Sequence, residues 1–180
     1  MNASLPQLHM RRALDELPAL QSPEGYSLRT LTPEDTGAWA ELLDANGELG
    51  GWNVERAAPY FASGSPMPLA GSFIATADGL PVATAQLHLH PADEYAPLHE
   101  LGWVAVRPEY RGHALGYAVC LAVMHYAKSA GHRELFLRTD DARLPAIRLY
   151  LRLGWQPWMR DPSSPARWQQ ILDKLAPKPS

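Results

Sequence analysis

The chain is poor in cysteine, in blocks of one charge and in long apolar runs. A single cysteine, Cys120, occurs in 180 residues, so no internal disulfide can form and a disulfide-stapled scaffold is excluded. Sixteen Lys and Arg stand against nineteen Asp and Glu, a formal net charge of −3, and no cluster of basic residues offers the electrostatic footprint of a nucleic-acid binder. No apolar stretch approaches the roughly 20 residues that cross a bilayer, and the first residues lack the apolar core of a secretion signal. The expectation is a soluble cytoplasmic protein with neither nucleic acid nor membrane as partner. Hydrophobic residues at 46% and charged residues at 19% are an ordinary balance for one domain with a real core.

What is present centres on Glu100 to Gly116, Glu-Leu-Gly-Trp-Val-Ala-Val-Arg-Pro-Glu-Tyr-Arg-Gly-His-Ala-Leu-Gly. Leu101 to Val106 reads as a buried strand that Pro108 ends, because proline cannot donate to a ladder. Beyond a short basic turn, Leu115, Ala118, Val119, Ala122 and Tyr126 mark one face of a helix. The first turn of a helix carries unpaired N–H groups and partial positive charge. Gly112, Ala114 and Gly116 keep the approach lean and Arg111 adds a cation, so residues 111 to 117 form a candidate phosphate cradle. The structural alternative is a strand–helix turn whose glycines serve geometry alone.

Residues 1–25 are expected to be an N-terminal arm, either packed on the domain or partly disordered, with a short helix considered over Met10 to Leu17 between prolines. Residues 26–160 are expected to form the domain and 161–180 a C-terminal helix packed on it. Within the domain the first strand is Tyr26 to Leu31. Thr32-Pro33-Glu34-Asp35 starts a helix that stops near Asn46-Gly47. A weaker helix covers Val54 to Ala62. Ser72 to Thr76 and Leu80 to His90 make a hairpin around Asp78-Gly79. A strand at Glu134 to Thr139, a helix from Pro145 to Leu153, a strand at Trp155 to Met159 and a helix from Pro165 to Leu175 complete a mixed α/β pattern.

The second hairpin strand alternates, with Ala83, Ala85, Leu87 and Leu89 on one face and Thr84, Gln86, His88 and His90 on the other. Two histidines on one face, with His99 further on, raise the question of a metal-dependent enzyme. No cysteine or suitably spaced carboxylate completes a ligand set in the sequence, so no metal is expected and a polar strand face is the reading. Cys120, inside the helical pattern, reads as a core residue rather than a nucleophile.

Two separated segments carry a family resemblance. Val104 to Gly116 resembles the acyl-CoA-binding motif R/Q-x-x-G-x-G/A of the GCN5-related N-acetyltransferase (GNAT) superfamily. Ala146-Ile-Arg-Leu-Tyr-Leu-Arg-Leu-Gly-Trp155 resembles that superfamily's A-x-x-L-Y-x-x-x-G-F segment. The likeness covers about Tyr26 to Met159. Two positions depart from it. Ala114 replaces the middle glycine, which a negative φ would tolerate and a positive φ would not. Arg143 replaces an asparagine that often opens the second helix.

The resemblance implies a single-domain α/β (α+β) fold in which a mixed, twisted sheet splays between two central parallel strands and is flanked by helices. It implies acetyl-CoA as co-substrate, with pantetheine beside the backbone of Val104 and Val106. The pyrophosphate would sit on the N–H groups of Gly112, His113, Ala114, Leu115, Gly116 and Tyr117, with Arg111 beside it. Tyr150 matches the family tyrosine that protonates the leaving thiolate. Glu100 is the candidate base, placed at an even spacing from Val104 and Val106 and so expected on their face; His88, His90 and His99 are the fallback bases. The activity implied is acetyl transfer to a primary amine of a small molecule or peptide, and the alternative is a non-catalytic acyl-CoA-sensing module. Acceptor walls are sought in Trp52, Tyr60, Phe61, Trp155 and Trp158, with Glu48 and Glu55 as acids to draw a cationic amine. Self-association is common in the resembling family, and a homodimer is among the states it implies.

Overall fold

The computed structural model describes residues 5–47, 49–90 and 92–176. Among these are seven strands and five α-helices, in two compact units: residues 13–135, and residues 1–12 with 136–180.

In the larger unit, β2 (Ser27–Thr30), β3 (Ser72–Ala77), β4 (Leu80–His88) and β5 (His99–Val106) pair antiparallel in that order. The β3–β4 hairpin closes through Asp78 and Gly79, both at positive φ (47° and 83°), the backbone that a tight two-residue turn demands. Helix α1 (Thr36–Asp44) follows a single 3-10 turn, Pro33–Asp35. Thr32 opens that turn, and its N–H donates to Asp35 Oδ2 at 2.8 Å. The same carboxylate takes both Arg29 Nη groups at 2.7 and 2.8 Å, which holds the Asp35 pKa below the usual carboxylate range. Helix α2 (Val54–Phe61) begins at Asn53, whose side chain accepts from the Arg56 N–H at 2.9 Å.

Two helical layers select the two faces of this sheet. Trp39, Leu42 and Leu43 of α1 and Ala57 of α2 share a core with Ile74 and Ala105. Helix α3 (Leu115–Ser129) lies against β3, β4 and β5, with Tyr126 stacked edge-on to Phe73 at 6.4 Å. Since Phe73 and Ile74 are neighbours on β3 they point to opposite faces. One face therefore belongs to α1 and α2, the other to α3. Cys120 is fully buried within α3, and burial pushes its thiol pKa up.

In the smaller unit, β6 (Glu134–Thr139, entering from the larger unit), β1 (Leu8–Ala13) and β7 (Gln156–Trp158) lie in that order, with α4 (Leu144–Arg152) and α5 (Ser164–Leu175). Strand β1 corrects the helix considered over Met10 to Leu17. Leu8 and Met10 are both 0% exposed, and Met10 pairs with Pro157 of the antiparallel β7. Their i, i+2 spacing serves a strand, which the flanking prolines bound. Arg167 of α5 holds the unit's loops, with Nε on Asp141 Oδ2 at 3.0 Å and Nη1 on the Pro6 carbonyl at 2.9 Å.

Candidate active site

Strand β5 leads directly into the turn marked by the sequence. After Val106 the chain makes a 3-10 turn at Pro108–Tyr110, extends at Arg111, and reverses through Gly112 (φ 90°) and Ala114 (φ 57°) into α3. The first helical bond runs from the Ala118 N–H to the Ala114 carbonyl at 3.0 Å. Leu115, Gly116 and Tyr117 thus form the first turn of the helix, the end that carries partial positive charge. Residues 111 to 114 are exposed. Arg111 is held at the mouth of the turn, where Nη2 donates to Asn46 Oδ1 at 3.2 Å. Asn46 is itself tied to the end of α1 through the Leu42 carbonyl at 2.9 Å. Tyr26 supports the other side, 5.7 Å from the His113 ring and 6.4 Å from Tyr110. Arg111 to Tyr117 therefore form one continuous turn at the N-terminus of a 15-residue helix, with Val104 and Val106 on the strand that feeds it.

Ala114 occupies the backbone conformation that its methyl group disfavours. Its φ is positive, and a left-handed residue with a Cβ costs about 1–2 kcal/mol. The methyl faces an exposed turn, so the strain is conformational rather than a clash with the core.

The other end of β5 departs from the even-spacing expectation. Glu100 pairs with His88 and Gly102 with Gln86, but Ala105 pairs with Thr84 and Val106 with Ala83. Between these pairs two residues, Trp103 and Val104, oppose Ala85 alone. This is a β-bulge, and Trp103 within it has φ 49°. The extra residue reverses the alternation. Glu100 shares a face with Gly102, Ala105 and the α1–α2 core, whereas Val106 lies on the α3 face. Trp103 is fixed in this unusual backbone by an aromatic cluster, with ring centroids 4.8 Å from Trp52, 5.5 Å from Tyr60 and 6.2 Å from Trp39.

Beside the bulge the register assembles a polar group. Glu100 is 6% exposed and His90 7%, and His90 Nε2 lies 3.1 Å from Glu100 Oε2. The other ring nitrogen of His90 meets the Asp93 carboxylate, which that bond, foremost, holds below its ordinary pKa. His88 stacks on His90 at 4.9 Å. The ligand atoms of His88, His90 and Glu100 all lie within 4.8 Å of one another. The carboxylate beside the histidines is Glu100, supplied by strand pairing rather than by sequence spacing. His99 is placed differently. Its Nδ1 accepts the His90 backbone N–H at 3.0 Å, and burial, followed by the nearby His132 and His90, lowers its pKa.

Asp93 and Asn46 escaped the sequence reading. Asp93 had one signal, its i+3 position after a histidine; Asn46 read only as part of a helix stop. Among the aromatic candidates, Trp52, Tyr60 and Phe61 join Trp39 and Trp103 in the larger unit. Trp155 and Trp158 belong to the smaller unit, where Arg160 lies over the Trp158 ring at 4.6 Å. Glu55 is exposed in the first turn of α2, and Glu48 lies outside the described residues. Tyr150, on α4 of the smaller unit, is 3% exposed with its ring 6.4 Å from Trp155. Arg143 stands at the N-cap of α4 without a side-chain capping bond, as a guanidinium has no acceptor to offer.

Comparison with known proteins agrees with these motifs. The profile of the Acetyltransferase (GNAT) family matches residues 32–155. A mycothiol acetyltransferase of Thermobispora bispora is 36% identical over 165 residues, covering 84% of this chain and 54% of that protein. One from Thermomonospora curvata is 32% identical over 169 residues, covering 86% and 52%. The chain thus spans about half the length of these relatives. The crystal structure of a GCN5-related N-acetyltransferase from Sphaerobacter thermophilus superposes with a TM-score of 0.69 at 26% identity, covering 86% of this chain and 50% of that one. The mixed α/β architecture, the strand–turn–helix at Arg111 and the downstream Ala146 to Trp155 segment converge: this chain belongs to the GNAT acetyltransferase family.

Proposed function

We propose that the protein is an acetyl-CoA-dependent N-acetyltransferase acting by direct attack of a small-molecule primary amine on the thioester. The observation that carries this reading is that one strand, β5, joins both halves of the chemistry within one unit. It bears a buried carboxylate at its start and runs through an exposed turn into the N-terminus of α3 at its end. The diphosphate of acetyl-CoA is assigned to the N–H groups of residues 112 to 117 with Arg111, and its pantetheine arm to the backbone near Val104 and Val106. Relatives named as mycothiol acetyltransferases favour a small molecule over a peptide as acceptor.

In the reaction the amine nitrogen bonds to the acetyl carbonyl carbon, and the C–S bond then breaks. Glu100 takes the proton that the amine must lose. His90, 3.1 Å behind it, connects Glu100 to the solvent-exposed Asp93. Tyr150, assigned from its motif, gives the departing thiolate a proton from its hydroxyl.

The test is calorimetric titration with acetyl-CoA, using dephospho-acetyl-CoA and adenosine as controls, followed by a screen of small amines for thiol release. Saturable one-to-one binding with turnover supports the reading. Binding without turnover on any amine would favour a sensing module, and no binding by folded protein would remove the cradle.

A further inference from the structure

We propose that His88, His90 and Glu100 form a reversible binding site for a divalent cation of the zinc class, with Asp93 orienting His90. One nitrogen of the His90 ring is engaged by the Asp93 carboxylate, and the other, Nε2, faces a carboxylate oxygen of Glu100 at 3.1 Å. Nε2 and the Glu100 oxygen are therefore neighbouring donor atoms that one cation can bridge. A carboxylate behind one ring nitrogen, with the other nitrogen beside further donor atoms, is the arrangement in which histidine ligates metals.

The third ligand comes from the strand pairing. His88 stands directly opposite Glu100 across β4 and β5, and its ring lies 4.9 Å from that of His90, just beyond the end of β4. The ligand atoms span at most 4.8 Å. Around an ion with bonds of about 2.0–2.1 Å, tetrahedral ligand atoms lie about 3.4 Å apart. His88, at the end of β4 and only half-buried, is the ligand with room to rotate toward that spacing. Two imidazoles and one carboxylate suit zinc or cobalt better than the all-oxygen preference of calcium or magnesium. Three protein ligands also leave a fourth position for water. The negative charges of Asp93 and Glu100 favour cation entry from the exposed side of Asp93.

An ion seated there engages the carboxylate that our proposed mechanism uses as base. Zinc is therefore an inhibitor of acetyl transfer, a consequence that rests on the functional reading above, while the binding itself does not.

The test uses the full chain and two probes, cobalt(II) read by visible absorption and zinc(II) read by competition with a chromophoric chelator. The expected result is one equivalent of tetrahedral cobalt with intense ligand-field bands. Zinc binding should weaken about 10- to 100-fold in Asp93→Asn and more in His88→Ala. X-ray absorption of the zinc-loaded wild type should show two imidazole nitrogens with an oxygen-filled remainder, which needs no variant to fold. Absence of one-to-one binding by folded wild-type protein would overturn the proposal. So would bands unchanged in both His88→Ala and His90→Ala, or a first shell containing sulfur or no imidazole. None of these outcomes depends on turnover, so failure of the metal site and failure of the acetyltransferase reading are told apart.

Discussion

Ala114 combines a position at the N-cap of α3 with a backbone angle that suits glycine. Ala114→Gly is expected to raise stability by up to about 1 kcal/mol, since the relief of left-handed strain exceeds the added chain entropy. The midpoint of urea unfolding measures it, and an unchanged or lowered midpoint contradicts the strain. Glu100 makes a second residue-scale prediction. Glu100→Gln should lower kcat by about 10²–10⁴, the usual contribution of a positioned base, with acetyl-CoA affinity retained in calorimetry. His99 yields a pH prediction. Its native pKa lies below the ordinary 6.5, so the unfolded chain binds the extra proton first as pH falls. Stability is complete above about pH 6.5 and declines as pH drops from there toward the native value. In His99→Asn, which keeps an acceptor for the His90 N–H, thermal melts between pH 7.5 and 5.5 should show a shallower decline. At this scale the sequence named Arg111, Ala114 and Glu100 because each sits in or beside a recognisable motif. Asp93 went unseen because its role depends on where the His90 ring turns.

Elements were legible where their pattern is local. Helices α1, α3 and α5 announce themselves by apolar spacing, and the β3–β4 hairpin by Asp78-Gly79. Strand β1 was not legible, because Arg11 and Arg12 interrupt its apolar alternation and its stability comes from β7, nearly 150 residues away. Met10→Ala is accordingly expected to cost about 2–5 kcal/mol, as befits a methionine that is 0% exposed. A loss under about 0.5 kcal/mol in denaturant titration would suit a loose arm instead. The β5 bulge shows a different limit. Alternation read along one strand assumes uninterrupted pairing, and the bulge belongs to the pairing. Hence Glu100 and Val106, six residues apart, occupy opposite faces, and the His88–Glu100 juxtaposition appears only once the register is known.

For the molecule as a whole, family and fold were readable because two motifs occur in the right order across a mixed α/β pattern. The two-unit organisation was not, since β1 reaches the smaller unit from the opposite end of the chain. A ligand bound by the native state alone stabilises it by an amount that grows with the logarithm of its concentration over Kd. Acetyl-CoA at about one hundred times its Kd should therefore add about 2.7 kcal/mol. Adenosine at the same concentration should add far less, because it lacks the diphosphate assigned to the cradle. Equal shifts in thermal unfolding with the two ligands would argue against anion recognition at α3.

The burial of Cys120 within α3 bears on how such a protein can be watched at work. Chromogenic disulfide reagents react with thiolates, and the lone protein thiol is both shielded and reluctant to ionise. In the native state they should colour only with the CoA released at each turnover, giving a continuous assay free of protein background. With the substrates left out, the same colour becomes a clock. It can emerge from Cys120 only as often as α3 lifts from its strands, so its slow appearance reports the lifetime of the closed helix.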